Sequence, residues 1–295
     1  MRPKVLILYS LLALIWGSTW LAIKISLRGT PPILGVGLRF GLSALILWAI
    51  FLHRGERLTL TPNAIRVYLA FGVLNFATSY SLTYWGTQHI QIGVSAIMWA
   101  LLPIFVALLA HFMIQGDPLT LKKLLGGATG LLGTVLIFAQ EEGALTGSRT
   151  IGTAALLAAV LIAAWPNVLF KRHQAEVPSL HLNVAAQTIA AVILIPLSFA
   201  MENPASFAWN ITNISALVYL VIFGTLITWS IYLWLFSQLT VTQVSTIALV
   251  PPVLASLLGW AILGETFTSR MILGSMLLLI GVFIINTQQK TPRPI

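Results

Sequence analysis

Long apolar stretches alternate with short polar breaks along the whole chain. The first stretch, 5–23, carries no ionisable side chain except a tyrosine and follows Arg2 and Lys4. It exceeds the roughly 7–15 apolar residues of a secretory signal and ends without a small-x-small cleavage pattern, so it reads as a retained first helix. Similar stretches follow at 33–52, 67–86, 92–114, 121–139, 151–170, 181–200, 214–236, 243–263 and 270–287. A helix needs about 20 apolar residues to cross the bilayer core. The pattern therefore predicts an all-α integral membrane protein of ten transmembrane helices. Turn and charge signals separate the stretches at Pro31-Pro32, His53 to Arg57, Gly116-Asp117-Pro118, Glu141-Glu142-Gly143, Lys171-Arg172-His173 and Glu202-Asn203-Pro204. The breaks at Gln88 to Gln91 and at Leu239 to Thr242 are marked only by polar residues.

Composition agrees and then adds orientation. Only 8% of the 295 residues are charged, against roughly 25% in soluble domains. The helices leave no room for a sizeable soluble domain. The net charge of +9 comes from scattered residues, which argues against a nucleic-acid partner. On the side shared by both termini fall Arg2, Lys4, Arg54, Arg57, Arg66, Lys122, Lys123, Lys171, Arg172, Lys290 and Arg293, eleven residues against Arg28, Arg149 and Arg270 opposite. Cytoplasmic loops hold the excess of Lys and Arg, so both termini are expected in the cytoplasm of a cell whose (inner) membrane holds the protein. The chain has no cysteine, which excludes disulfides and thiolate chemistry.

The chain also resembles itself. Pro103, Asp117, Gly126 and Gly133 return as Pro251, Glu265, Gly274 and Gly281, each displaced by 148 positions. Trp16 and Trp165 are 149 apart, and Phe71-Gly72 and Phe223-Gly224 are 152 apart. Two repeats of five helices are expected, over 1–140 and 150–288, with a cytoplasmic tail at 289–295. An odd helix number per repeat inverts the second copy. Inverted repeats are common in secondary transporters, where similar halves of opposed topology can close a central site from either side.

Trp16-Gly17-Ser18-Thr19-Trp20, Pro31-Pro32 and Gly37-Leu38-Arg39-Phe40 resemble the first two helices of the EamA family of the drug/metabolite transporter superfamily. The stretch from Pro251 through Gly264-Glu265 to Gly274 and Gly281 resembles that family's domain ending, repeated in the first half with Asp117 for the usual Glu. The resemblance implies ten helices in two inverted repeats, a central cavity lined mainly by the third, fourth, eighth and ninth helices, and export of amino acids, metabolites or drugs.

Candidate substrate-binding residues follow from helical spacing. Asn75, Ser79, Tyr80, Thr83 and Tyr84 share a face of the third helix, Ser95 and Trp99 lie one turn apart in the fourth, Thr228, Trp229 and Tyr232 share a stripe of the eighth with Thr225, and Ser245 and Thr246 fall early in the ninth beside Thr242. Such stripes suit a cavity for an organic molecule; Ser and Thr also serve as contacts between membrane helices. Pro103 and the pair Pro251 and Pro252 break corresponding helices and are read as hinges or gates. Trp16, Lys24, Arg39 and Trp165 are assigned to the cavity mouth or to structure. Lys24 is placed to snorkel, and Arg39 to anchor the outer mouth or neighbouring carbonyls. Trp48, Trp209 and Trp260 suit the interfacial belt. The glycines suit close helix packing, and His111 a helix contact.

All seven carboxylates fall in loops or at span ends, which disfavours proton-coupled export of lipophilic cations. Phosphorylated cargo would want several buried cations. No metal-ligand pair, phosphate loop or nucleophile elbow is present, so no catalytic residue, metal or cofactor is expected. The expected partners are a small-molecule substrate and the lipid bilayer, with the oligomeric state open and a monomer compatible. The expected function is export of small neutral or zwitterionic metabolites, such as amino acids with apolar or aromatic side chains, by alternating access. Other cargo on the same fold and a non-transporting sensor or enzyme remain as alternatives.

Overall fold

The computed structural model describes residues 3–114, 119–138, 147–266 and 268–286. Asp117 and the tail 289–295 lie outside the described residues. Helices α1 (Pro3–Ser26), α2 (Pro32–His53), α3 (62–89), α4 (Ile92–Met113), α5 (Leu121–Phe138), α6 (Ser148–His173), α7 (Ser179–Met201), α8 (Ile211–Leu235), α9 (Val241–Leu263) and α10 (Ser269–Asn286) follow in order, and the described residues contain no strand. Seven of them, α1, α2, α4 and α6 to α9, are long and apolar enough to cross a membrane. Large apolar side chains point outward, among them Ile7, Leu45, Leu52, Val192, Phe199 and Phe283, while Ser43, Asn75, Thr83, Asn167, Gln187 and Thr225 are buried. That inside-out distribution is what a lipid solvent selects, because internal polar groups can only be satisfied by protein. The chain is a multi-pass membrane protein.

Local breaks have identifiable causes. Proline carries no N–H and cannot continue the helical ladder. In α4 the helix ends at Trp99 and restarts at Leu102, immediately before Pro103. The intervening turn tightens, with Leu101 N donating to Met98 O at 3.1 Å and Ile104 N to Leu101 O at 3.0 Å. In α9 a 3₁₀ turn at Thr246–Leu249 precedes Pro251 and Pro252. Two other helices widen instead: α3 is π-helical over Ala70–Ser79 and α8 over Ile222–Ile227. The wider turns redirect hydroxyls to carbonyls five residues back, Thr78 Oγ1 to Val73 O at 2.9 Å and Thr225 Oγ1 to Leu220 O at 2.8 Å.

Packing follows the small residues. α5 and α10 lie antiparallel at glycine distance, with Gly133 against Gly274 and Leu278, and Gly281 against Gly126 and Gly130. α2 packs on α7, α3 on α6, and α1 on α8 and α9. Charged side chains at helix ends tie neighbouring helices together. Lys24 Nζ donates to Thr87 O at 2.7 Å and to Ile90 O at 2.8 Å, closing the C-terminus of α3. Lys171 Nζ donates to Phe236 O at 2.5 Å and to Leu239 O at 3.0 Å, just beyond the C-terminus of α8. Glu202 accepts from the Ile33 and Leu34 amides at the start of α2, and Glu265 from the Ile92 amide at the start of α4. Cations at helix C-termini and anions at N-termini both complement the helix dipole.

Candidate functional site

Seven helices meet around an internal cavity of about 70 Å³. α1 contributes Trp16, Thr19, Trp20 and Ile23; α2 contributes Arg39; α3 contributes Asn75, Tyr80 and Thr83; α4 contributes Trp99 and Leu102; α6 contributes Asn167; α8 contributes Trp229 and Tyr232; α9 contributes Ala248 and Pro251. The rings interlock. Trp16 packs against Trp229 at 5.9 Å and Tyr232 at 5.0 Å between centroids, and Tyr80 lies edge-on to Trp99 at 6.2 Å. Their polar ends are satisfied from within. Trp99 Nε1 donates to Thr83 Oγ1 at 3.2 Å, Trp229 Nε1 to Tyr80 Oη at 3.1 Å, and the Tyr232 hydroxyl to Asn167 Oδ1 at 3.0 Å. Pockets for drug-sized ligands run to roughly 300–1,000 Å³. The cavity lies below that range.

Arg39 is the charged member of this lining, and only 1% of it is exposed. Its Nε donates to Thr225 Oγ1 at 2.6 Å, Nη2 to Gly224 O at 2.5 Å and Nη1 to the Tyr84 hydroxyl at 3.1 Å. The guanidinium also lies 5.1 Å from the ring centre of Tyr80 and 5.8 Å from that of Phe40. Gly224 permits the approach: a Cβ there would lie 2.9 Å from Thr19 and 3.2 Å from Arg39 Nη2. Every partner is neutral. Burying an ion without a counter-ion costs several kcal/mol, and ionisable groups kept inside a membrane mark function.

The cavity gathers Asn75, Tyr80, Thr83, Trp99, Trp229, Tyr232, Pro251, Trp16 and Arg39 from the residues singled out in the sequence. It does not gather the rest. Ser79 donates to Ala159 O at 2.8 Å, joining α3 to α6. Ser95 and Ser245 are buried and donate back along their own helices to Gln91 O and Thr242 O. Tyr84 meets Arg39 from behind the lining, and Thr228 is buried with no hydrogen-bond partner for its hydroxyl. The Thr246 side chain lies outside the described residues. Pro103 and Pro252 are buried within α4 and α9. Lys24 closes α3 as described, and Trp165 is 38% exposed on the outer face of α6. Arg39, read as an anchor of the outer mouth or of neighbouring carbonyls, donates to the carbonyl of Gly224. Its Cα is early in α2, but its long side chain reaches the π segment midway along α8. Thr19, Trp20 and Asn167 line the cavity without having been singled out; an amide beside Pro166 within an apolar stretch was the available signal for Asn167.

A second, more open cleft of about 610 Å³ lies between the start of α1, the end of α2, the start of α7, and α8. Lys4 and Arg54 line it together with Leu47, Ile50, Asn183 and Ser230. Among the described residues no cluster of three or more His, Cys, Asp or Glu side chains could hold a metal ion.

A polytopic helical protein with an aromatic cavity lined by Thr19, Arg39, Asn75, Thr83 and Asn167 has the architecture of a membrane protein that handles a small molecule. The chain belongs to the EamA-like transporter family, which matches residues 3–139 and again residues 150–287. It is 28% identical to the uncharacterized transporter YoaV of Bacillus subtilis, covering 92% of each chain. It is 27% identical to protein PagO of Salmonella typhimurium, over 99% of this chain and 95% of that one. An S-adenosylmethionine/S-adenosylhomocysteine transporter of Chlamydia trachomatis is 26% identical, over 94% of this chain and 87% of its own. A crystal structure superposes with a TM-score of 0.75 over 97% of both chains at 19% identity, which supports the fold. The protein is a membrane transporter of the drug/metabolite type, not an enzyme.

Proposed function

We propose that the protein is a secondary carrier of the cell (inner) membrane that exports small neutral or zwitterionic metabolites, among them amino acids with apolar or aromatic side chains, by alternating access. In this reading ten helices cross the bilayer as two inverted five-helix repeats, with both termini cytoplasmic. The observation that carries it is the cavity itself, enclosed by helices from both halves of the chain and walled by tryptophans and tyrosines beside hydroxyls and amides. Further support comes from paired features: a π segment in both α3 and α8, a tightened turn before the prolines of both α4 and α9, and a lysine closing the ends of both α3 and α8. The family's two consecutive matches are in keeping with two repeats.

The test is flux. Proteoliposomes loaded with labelled phenylalanine, leucine or tryptophan should release label faster than protein-free liposomes, and Trp99→Ala should slow release while still inserting. Flux equal to that of empty liposomes for all three would remove the amino-acid reading. The chlamydial relative favours a second cargo class, an amino acid joined to a nucleoside. Release of labelled S-adenosylmethionine in place of the amino acids would select it. The orientation is tested by single cysteines in the cysteine-free chain; external labelling at position 57 or 122 in intact cells would reverse it.

A further inference from the structure

We propose that Arg39 and Asn75 form an anion subsite that binds the carboxylate of the cargo, so that the protein selects carboxylate-bearing organic molecules with an apolar or aromatic body. The inference rests on the carrier reading for its use in transport, and on geometry for the binding itself.

A guanidinium offers five N–H donors. Thr225, Tyr84 and Gly224 take three of them, all as neutral acceptors. The four described carboxylates are engaged elsewhere: Glu56 with His181, Glu176 with Asn63, Glu202 with the α2 amides and Glu265 with the α4 amide. Arg39 therefore carries a buried positive charge, two spare donors and no counter-ion among the described residues, and it faces the cavity. Asn75 supplies an independent second observation. It is 1% exposed, lines the same cavity, and its amide nitrogen has no acceptor. An unpaired amide donor and a buried, uncompensated cation in one lining favour a ligand that brings accepting oxygens and a negative charge. A carboxylate meets that demand with two oxygens and one compensating charge, and Arg matches it in bidentate geometry.

A structural role alone accounts less well for these features. The three neutral bonds tie α2 to α3 and α8, but an uncharged amide could make such bonds without burying an ion. The subsite also changes the expectation for cargo. A simple amine would bring a second cation against Arg39, whereas an acid or an amino acid would neutralise it.

The test uses full-length protein in detergent and matched probes on phenyl, indole and isobutyl bodies, each as a simple carboxylic acid and as the corresponding primary amine. Trp16, Trp20, Trp99 and Trp229 line the cavity, so intrinsic fluorescence reports occupancy. At least one acid should bind ten-fold or more tightly than its amine. Arg39→Lys should keep the preference with weaker binding, and Arg39→Gln should abolish it. Asn75→Asp guards against misfolding of the arginine variants: nearly isosteric, it places a carboxylate on the cavity wall and should remove acid binding by at least ten-fold.

Equal binding of acid and amine, binding of no acid, or displacement of the acids by equal concentrations of inorganic phosphate or chloride would each overturn the assignment. Flux of a carboxylate-free cargo, unchanged in Arg39→Gln, would overturn it while leaving the carrier reading intact. Arg39-dependent acid binding with no flux of any probe would uphold the subsite and remove the carrier reading.

Discussion

The antiparallel contact between α5 and α10 permits a quantitative test of close helix packing. An added Cβ at Gly133 would meet Gly274 O and lie 2.7 Å from Leu278 N, where ordinary contact begins at 3.4 Å. At Gly281 it would meet Gly126 O and lie 2.6 Å from Gly130 N. These obstacles are backbone atoms of helices, so no side-chain rotation relieves them. Gly133→Ala must move the helices apart by about 1 Å at the closest contact, and a gap of about that size forfeits roughly a quarter to a half of the dispersion energy of each affected atom pair. Overpacking of this kind costs about 1–3 kcal/mol, offset by up to about 1 kcal/mol of better helix propensity. The expected net loss is about 1–2 kcal/mol for either single substitution. Because one separation of the two helices accommodates both methyls, the double variant should lose less than the two singles added together. Thermal unfolding of the detergent-purified protein, followed by tryptophan fluorescence, measures all four members of the cycle. A Gly133→Ala protein as stable as its parent, or losses that simply add, would refute the argument.

Three further outcomes are expected. Lys24→Met and Lys171→Met each remove charge-assisted bonds to carbonyls at a helix end; a loss of about 1 kcal/mol is expected at these half-buried sites, with faster amide hydrogen exchange at 90–91 and 239–240 respectively, and unchanged exchange would exclude the capping role. Asn167→Leu strands the buried Tyr232 hydroxyl and should cost about 1–3 kcal/mol, whereas adding Tyr232→Phe should recover most of it; a double variant no more stable than the single would contradict the pairing. In the loop between α6 and α7, hydrogen bonds from Asn63 and then His173 hold the Glu176 carboxyl below its ordinary range. A lowered pKa stabilises the fold above the unfolded carboxyl's value, and the contribution is lost as pH falls through the folded one. The difference in melting temperature between parent and Glu176→Gln should therefore shrink from pH 7 to pH 3.5, and a constant difference would exclude the linkage.

The helices were legible because a lipid solvent writes them plainly: α1 begins and ends within three residues of the apolar stretch 5–23, and α9 ends with the stretch 243–263. The spacing of Pro103 and Pro251 likewise located both tightened turns. The cavity was less legible. Stripes on α3 and α8 found Asn75, Tyr80, Trp229 and Tyr232, but spacing along one helix cannot tell which hydroxyls meet a neighbouring carbonyl, as those of Ser79 and Ser95 do. Thr19 and Asn167 are not legible as lining residues because no further hydroxyl or amide side chain lies three or four positions away on the same face to form a stripe. The partners of Arg39 are not legible in the sequence, because position along the chain locates its Cα, whereas its side chain ends at Gly224 O and Thr225 Oγ1 on another helix.

The π segments carry a consequence for how this architecture could be altered. Each extra residue held in a wide turn delays the rotation of the helix beyond it by about 100°. Deleting one residue between Ala70 and Ser79 would let a wide turn of α3 relax to ordinary pitch with Tyr80 and Thr83 still facing Trp229 and Trp99, whereas rewinding that turn with no residue removed would swing them away together. A helix wound in this way tolerates the loss of a codon where an ordinary helix would not, because the wide turn takes up the change and leaves both the interior and the lipid-facing shell in register.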